Sequence, residues 1–200
     1  MTIKVRESFT HKVCAYEILG TNLFAQKIRT GMRLNMDVLI REMKKSDWET
    51  VREIYKEGIQ TKIATFQTEL PSYEEWNNAH LPTCRLVAVI GEAVIGWTAL
   101  SLISSRCVYR GVAEVSIYIK AEYRGNQVGV MLLQELFKES EKQGYWTLQS
   151  GILEINHASI SLHKKVGFRM IGYREKIAKD SDGVWQNTVL MERRSNADII

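Results

Sequence analysis

The chain has 200 residues, of which 45% are apolar and 25% charged, a composition typical of a globular domain and unlike that of disordered or fibrous proteins. Its formal net charge of +4 is carried by residues 1–35, which hold six basic and two acidic side chains, whereas the other 165 residues hold 21 of each. A general affinity of the domain for nucleic acid is therefore not expected.

Cysteine and histidine spacing gives no sign of a metal centre. The three cysteines lack C-x-x-C spacing and the four histidines lack an H-E-x-x-H pattern, so we expect neither a disulfide framework nor a metal site. The longest charge-free apolar stretch, residues 93–105, is shorter than the ~20 residues of a membrane-spanning helix. With no signal-peptide pattern at the start, a cytoplasmic protein without membrane association is expected.

Residues 1–37 lack clear periodicity and are expected to form a poorly ordered extension. A start codon assigned too far upstream is a second interpretation, and a functional basic arm is a third. The domain itself is expected over residues 38–195, with a short tail at 196–200.

In chain order, a strand at 38–40 is followed by a helix that a capping-box pair, Ser46 and Glu49, would open. Ser72 and Glu75 have the same spacing and predict a short second helix that ends near His80. Residues 85–90 and 93–102 form two β-type runs around a Gly91-Glu92 turn, which predicts an antiparallel hairpin.

The second half alternates strands and helices. Strands are predicted at 112–119, 146–151, 169–178 and 184–193, and helices at 128–143 and 158–166. The order β-α-α-β-β-β-α-β-α-β-β is typical of an α/β protein with a mixed sheet and helices on its faces.

A glycine-bearing loop at 124–129 separates the 112–119 strand from the following helix. Free backbone N–H groups at a helix start favour an anion, and glycine lets that anion approach closely. The loop has neither the Lys-Ser/Thr ending of a nucleotide P-loop nor the G-x-G-x-x-G order of a dinucleotide fold. A plain strand-to-helix turn is the alternative.

Residues 113–129 resemble motif A of the GNAT family of N-acetyltransferases, whose Q/R-x-x-G-x-G/A signature embraces the pyrophosphate of acetyl-CoA. Arg124 and Gly129 match its first and last positions, and Gln127 replaces its first glycine. Residues 156–168 resemble motif B. Within the family, the stretches 106–110, 113–119 and 156–163 are most similar to bacterial phosphinothricin and methionine sulfoximine acetyltransferases. The resemblance implies a GNAT fold: a mixed, mostly antiparallel central sheet, splayed in the middle, with helices on both faces.

The resemblance also implies a reaction and a site. Acetyl-CoA would donate its acetyl group directly to the α-amine of a small amino acid or analogue, in a chain that forms a homodimer. Glu114 would be the base, and His163 would protonate the leaving thiolate at a place where many members have tyrosine. The implied substrate-binding residues are Arg106, Tyr109 and Trp185. The implied cofactor-binding residues are Ile117, Tyr118, Ile119, Arg124, Gly125, Asn126, Gln127, Val128, Gly129, Asn156 and Ser159.

Each of these residues also has a structural interpretation. Glu114 is a lone carboxylate on an apolar strand and would be a buried acid, paired with Arg106 or Arg110. Tyr118 would be a packed aromatic, Trp185 a core or pocket-wall residue, His163 a structural histidine, Asn156 a helix N-cap, and Arg106 an exposed loop residue. Gln186 and Asn187 follow Trp185 where phosphinothricin enzymes often carry histidine or tyrosine and then aspartate.

Two other functions fit the same residues. One is acetylation of another amine: a protein N-terminus, a polyamine or an antibiotic. The other is a non-catalytic acyl-CoA sensor, which Gln127 in the phosphate loop favours slightly.

Overall fold

The computed structural model describes residues 37–196. The predicted extension, apart from Asp37, and residues 197–200 of the predicted tail lie outside the described residues.

Within residues 37–196, seven strands and four helices follow one another in the predicted order, with 3-10 turns at Lys45–Asp47, Cys107–Tyr109 and Ala121–Tyr123. The strands are β1 (Val38–Glu42), β2 (Leu86–Ile90), β3 (Ala93–Leu102), β4 (Val112–Ile119), β5 (Thr147–Leu153), β6 (Arg169–Lys179) and β7 (Trp185–Arg194). The helices are α1 (Trp48–Gln60), α2 (Tyr73–Ala79), α3 (Val128–Lys142) and α4 (His157–Lys165).

One sheet contains all seven strands in the order β1-β2-β3-β4-β5-β7-β6. Every neighbouring pair is antiparallel except β4 and β5, which run parallel. The expected mixed, mostly antiparallel sheet is therefore confirmed.

Helices cover both faces of the sheet because strand side chains alternate between them. On one face, Trp48 of α1 and Trp76 of α2 join a buried cluster with Val87 and Trp97. On the other, Leu132 of α3 lies over Gly96, and α4 packs beside α3 where Leu162 meets Gly129. This burial of apolar area is the main source of stability.

Helix ends follow local chemistry, with one correction. At α2, the Glu75 N–H donates to Ser72 Oγ (3.2 Å) and the Ser72 N–H donates to Glu75 Oε2 (2.7 Å), so the predicted capping box is confirmed. At α1 the expected box from Ser46 is wrong: the Lys44 N–H donates to Asp47 Oδ2 instead (2.7 Å). Arg41 also binds Asp47 through two hydrogen bonds, which holds that carboxylate at the helix start.

The sheet opens between β4 and β5. Only Val112–Thr147, Ala113–Leu148 and Glu114–Gln149 are paired, and the next five residues of β4 have no partner on β5. On its other side β4 stays paired with β3 as far as Ile119. The predicted splay is thus a wedge with its apex at Glu114.

Behind the apex, where β4 and β5 begin, the two chain segments cross closely. The backbone N–H groups of Trp146 and Thr147 both donate to the Gly111 carbonyl oxygen, at 2.8 and 3.1 Å. A side chain at Gly111 would overlap the indole of Trp146, so only glycine lets the two strands approach here.

Candidate active site

A cleft of about 720 Å³ occupies the wedge, a volume in the range of small-molecule sites. Its walls are the unpaired ends of β4 and β5, the 124–129 loop, the inner side of α4, and the segment 61–67 that follows α1. Cofactor and acceptor could therefore meet at the apex.

The unpaired edge of β4 suits an extended, amide-bearing ligand. Beyond Glu114 its backbone N–H and C=O groups have no strand partner on the β5 side, and buried backbone groups need one. A pantetheine arm, which contains two amides, could supply that partner along Ile117, Tyr118 and Ile119.

The 124–129 loop has the backbone shape of an anion cradle. Gly125 (φ +78°) and Gln127 (φ +64°) are both left-handed, and α3 begins at Val128 immediately afterwards. Gln127 keeps this conformation without the glycine that the family motif has there, and its side chain makes no cap hydrogen bond. The loop and helix start can hold a pyrophosphate.

Arg124 is anchored at the mouth of this loop. Its Nε donates to the Ile119 carbonyl oxygen (2.9 Å), and one of its terminal nitrogens lies 4.0 Å from Glu57 Oε2. The same Glu57 oxygen accepts the Ala121 N–H (2.7 Å), so α1 helps to position the loop.

Glu114 is exposed, not buried as expected, because the sheet opens at this residue. Its Oε1 accepts the Gly151 N–H from β5 (3.3 Å), and no ion pair to Arg106 or Arg110 exists within the described part of the chain. The carboxylate lines the cleft. It is accessible to an incoming amine.

His163 lines the inner end of the cleft but is only 1% exposed. Its Nδ1 donates to the Ser159 carbonyl oxygen (2.8 Å), and its ring packs edge-on against Phe168 (4.9 Å). Burial lowers its pKa, and Nε2 has no hydrogen-bond partner among residues 37–196.

Tyr118 and Asn156 each fit two interpretations at once. Tyr118 stacks on Trp97 (4.9 Å between ring centroids), and burial raises its pKa, yet it also lines the cleft. Asn156 caps α4, because its Oδ1 accepts the Ser159 N–H (3.1 Å), and it lines the cleft as well.

Three predicted substrate-binding residues lie outside the cleft of a single chain. Arg106 and Tyr109 contact each other on an exposed turn, with the guanidinium carbon 5.7 Å from the ring centroid. Trp185 is 52% exposed, so the interpretation of it as a core residue is wrong. The reason is that it begins β7 at the rim of the sheet. Lys179 Nζ lies 5.1 Å from the Trp185 ring centroid.

The two residues after Trp185 have structural roles. Gln186 Nε2 donates to Asp180 Oδ2 (2.7 Å) and holds the β6–β7 turn. Asn187 Oδ1 accepts the Lys176 N–H (2.8 Å) at a bulge in β6, and its Nδ2 donates to Glu154 (2.9 Å).

Sequence reasoning missed several cleft residues. They are Tyr55, Gly58, Ser101, Ser150, Gly151, and the segment 61–67 with Ile63 and Phe66. A glycine inside a strand marks close approach and could have indicated Gly151. The segment 61–67 has no regular spacing of apolar residues from which a role in the site could be predicted.

Other chemistry finds little support in the described residues. Burial raises the pKa of Cys84 to about 11, so its thiol is a poor acyl acceptor, and neither Cys84 nor Cys107 lines the cleft. Within residues 37–196, no group of three or more His, Cys, Asp or Glu side chains could hold a metal ion. No helix there has the length and apolarity to cross a membrane.

Comparison with known proteins identifies the family. The model of the Acetyltransferase (GNAT) family matches residues 48–168. An L-methionine sulfoximine/L-methionine sulfone acetyltransferase of Pseudomonas paraeruginosa is 26% identical over 78% of this chain and 94% of its own. A putative phosphinothricin acetyltransferase of Bacillus subtilis is 33% identical over 66% of this chain and 85% of its own.

A solved structure agrees. The phosphinothricin acetyltransferase of Sinorhizobium meliloti, in complex with acetyl-CoA, superposes with a TM-score of 0.71 at 29% identity, over 80% of this chain and 89% of that one. The chain belongs to the GNAT family and is an acetyl-CoA-dependent N-acetyltransferase.

Proposed function

We propose that the enzyme acetylates the α-amine of a small amino acid or amino-acid analogue of the methionine sulfoximine or phosphinothricin type. The observation that carries this proposal is the exposed Glu114 carboxylate at the apex of the wedge, where β4 and β5 separate. The names of the relatives support the acceptor class.

The chemistry requires a base because an α-amine, with a pKa of about 8, is mostly an ammonium at neutral pH. Glu114 takes the proton, directly or through a water, and the amine nitrogen attacks the thioester carbon. The C–N bond forms as the C–S bond breaks, and the thiolate leaves as CoA. Strand N–H groups of β4 stabilise the negative charge on the carbonyl oxygen.

His163 is the proposed donor of a proton to the CoA thiolate. Since Nδ1 donates its proton to Ser159, the neutral ring carries no proton on Nε2, so Nε2 must first accept a proton from solvent and then passes it to the thiolate. Ile117 to Ile119, the loop 124–129, Asn156 and Ser159 are the proposed cofactor-binding set, all of which line the cleft except Asn126.

Recognition of the acceptor's carboxylate is proposed for Arg106, with Tyr109 and Trp185 beside the acceptor. A different acceptor is the second candidate, and one observation favours it. Among residues 37–196, the Asp, Glu, Lys and Arg side chains that line the cleft are Glu114, Arg124 and Lys165, so Arg106 is not among the cleft residues of this part of the chain.

An amine panel tests the proposal. Methionine sulfoximine, methionine sulfone, phosphinothricin, polyamines and peptides would each be assayed for acetyl-CoA-dependent thiol release. Turnover of the amino-acid analogues supports the proposal. Turnover restricted to polyamines or peptides would select the second candidate.

The Glu114→Gln variant tests the mechanism. We expect kcat to fall by at least 100-fold, because an amide cannot accept the amine proton, while the Kd of acetyl-CoA by calorimetry stays within twofold. Glu122→Gln, on the exposed Ala121–Tyr123 turn, is the matched control. Unchanged turnover in Glu114→Gln would remove Glu114 from the reaction.

We also propose a cytoplasmic homodimer. The hairpin of β6 and β7, at the edge of the sheet, exposes apolar side chains, among them Met170, Tyr173 and Ile177, which a partner subunit could cover. The unpaired thiols of Cys84 and Cys107 suit a reducing compartment. Light scattering coupled to gel filtration gives the mass that checks the dimer.

A further inference from the structure

One wall of the cleft is a segment without regular structure. Residues 61–67 follow α1, and Thr61, Ile63, Ala64, Thr65, Phe66 and Gln67 all line the cleft. Lys62 is left-handed (φ +58°), so the chain turns sharply as it leaves the helix.

This segment lies on the acceptor side of the wedge. Glu114 and Tyr118 point to the same face of β4, since strand side chains alternate. On that face, Tyr118 packs edge-on against Tyr55 of α1, with 4.8 Å between ring centroids. The segment continues directly from α1, so it borders the space that an amine must enter to reach Glu114.

Hydrogen bonds and one ion pair join the segment to other elements. Asn156 Nδ2 donates to the Ile63 carbonyl oxygen (3.1 Å), and Lys62 Nζ pairs with Asp182 (2.8 Å). The ion pair is more than half exposed at both ends, and such pairs contribute little.

Thr65 is also hydrogen-bonded with Tyr55 of α1 and Tyr118 of β4, and Thr61 Oγ1 donates to the Gly58 carbonyl oxygen of α1 (2.6 Å). These bonds hold the segment to α1 and β4, whereas the Asn156 contact holds it to α4.

The Asn156 amide is the stronger tether because it is fixed at both ends. Its Oδ1 accepts the Ser159 N–H at the start of α4 (3.1 Å), while its Nδ2 donates to Ile63. The Asn156 side-chain amide therefore joins α4 to the 61–67 segment.

We propose that Asn156 is a positioning residue that holds the 61–67 segment against α4 and so shapes the acceptor site. This inference rests on the proposed function for the identity of the acceptor, but not for the contact itself. Asn156 thereby links the two substrate sites. Its Oδ1 caps α4 beside the cofactor, and its Nδ2 donates to the 61–67 segment beside the amine.

The test uses two variants of the full-length enzyme. Asn156→Asp keeps an acceptor for the Ser159 N–H but places an oxygen against the Ile63 carbonyl. Asn156→Ser keeps a cap without adding charge and cannot reach Ile63. Asp182→Asn, which removes only the exposed ion pair, is the matched control.

The first readout is limited trypsinolysis after Lys62, followed by mass spectrometry of the fragment that ends there. We expect cleavage at least fivefold faster in both Asn156 variants and within twofold of wild type in Asp182→Asn. This readout needs no turnover, so it tests the tether even if the proposed acceptor is wrong.

The second readout separates acceptor from cofactor. We expect the acceptor KM to rise tenfold or more in both variants, and by a larger factor than the Kd of acetyl-CoA. Unchanged cleavage after Lys62 in both variants would overturn the proposal, and so would a loss confined to acetyl-CoA affinity. If Asn156→Asp fails to fold, Asn156→Ser carries the same test.

Discussion

His163 shows how a single buried side chain makes stability depend on pH. Its imidazole is held by Ser159 and Phe168, and burial lowers its pKa below the ordinary value near 6.5. The folded protein therefore binds this proton more weakly than the unfolded chain does. Neutral His163 stabilises the fold fully above about pH 6.5, and that contribution is lost as the pH falls through the lowered pKa.

Replacing His163 by glutamine removes this titration. We expect the drop in the free energy of unfolding between pH 7.5 and pH 5 to be smaller in His163→Gln than in wild type, as measured by urea denaturation. It will not vanish, because burial lowers the pKa of His80 in the same way. His157→Gln, on the exposed start of α4, is the control, and an equal drop in wild type and His163→Gln would contradict the argument.

At the same scale, Glu114 marks what alternation can predict. The bounds of β4 and the face that carries Glu114 follow from the residues of the strand alone. The exposure of Glu114 does not follow from the strand alone. It depends on where β5, which begins over 30 residues later, stops pairing with β4. The alternation thus predicted the strand correctly, and the depth of the Glu114 side chain wrongly.

Among the elements, the loop before α3 stores conformational strain. Gln127 is left-handed without being glycine, a conformation that costs an L-residue about 1 kcal/mol. Its side chain makes no capping hydrogen bond, so its removal should cost little.

Gln127→Gly should therefore raise the free energy of unfolding by about 1 kcal/mol in the absence of ligand. Gly125→Ala is the matched control: its φ is also positive and its added methyl would meet nothing within 4 Å, so it should destabilise through backbone strain alone. Urea denaturation measures both. If Gln127→Gly instead lowers the free energy of unfolding, the Gln127 side chain contributes more stability than its left-handed backbone costs.

Local signals predicted elements best where their partners are near in sequence. The Ser72–Glu75 box is complete within four residues, and it was found. The start of α1 depends on Arg41, five residues before Ser46, and was misassigned. The 61–67 segment depends on Asn156 and Asp182, roughly 100 residues away, and nothing in its own composition indicates a wall of the site.

At the scale of the molecule, the sheet consists of two parts joined by few bonds. Strands β1 to β4 form one part and β5 to β7 the other, connected by three register pairs and the Gly111–Trp146 crossing. A ligand that fills the wedge contacts both parts, so it stabilises the folded state by its binding free energy, about 2.7 kcal/mol at a concentration 100-fold above Kd.

Acetyl-CoA should consequently slow amide hydrogen exchange on both sides of the wedge. We expect protection of residues 116–119 and 150–153 together, because the pantetheine arm fills the space that separates them. ADP has a pyrophosphate but no such arm, and should protect only the loop at 124–129. Exchange measured by mass spectrometry on the same peptides distinguishes the two ligands. Protection by acetyl-CoA confined to the loop would mean that the arm does not lie in the wedge, and that β4 and β5 are bridged by protein contacts alone.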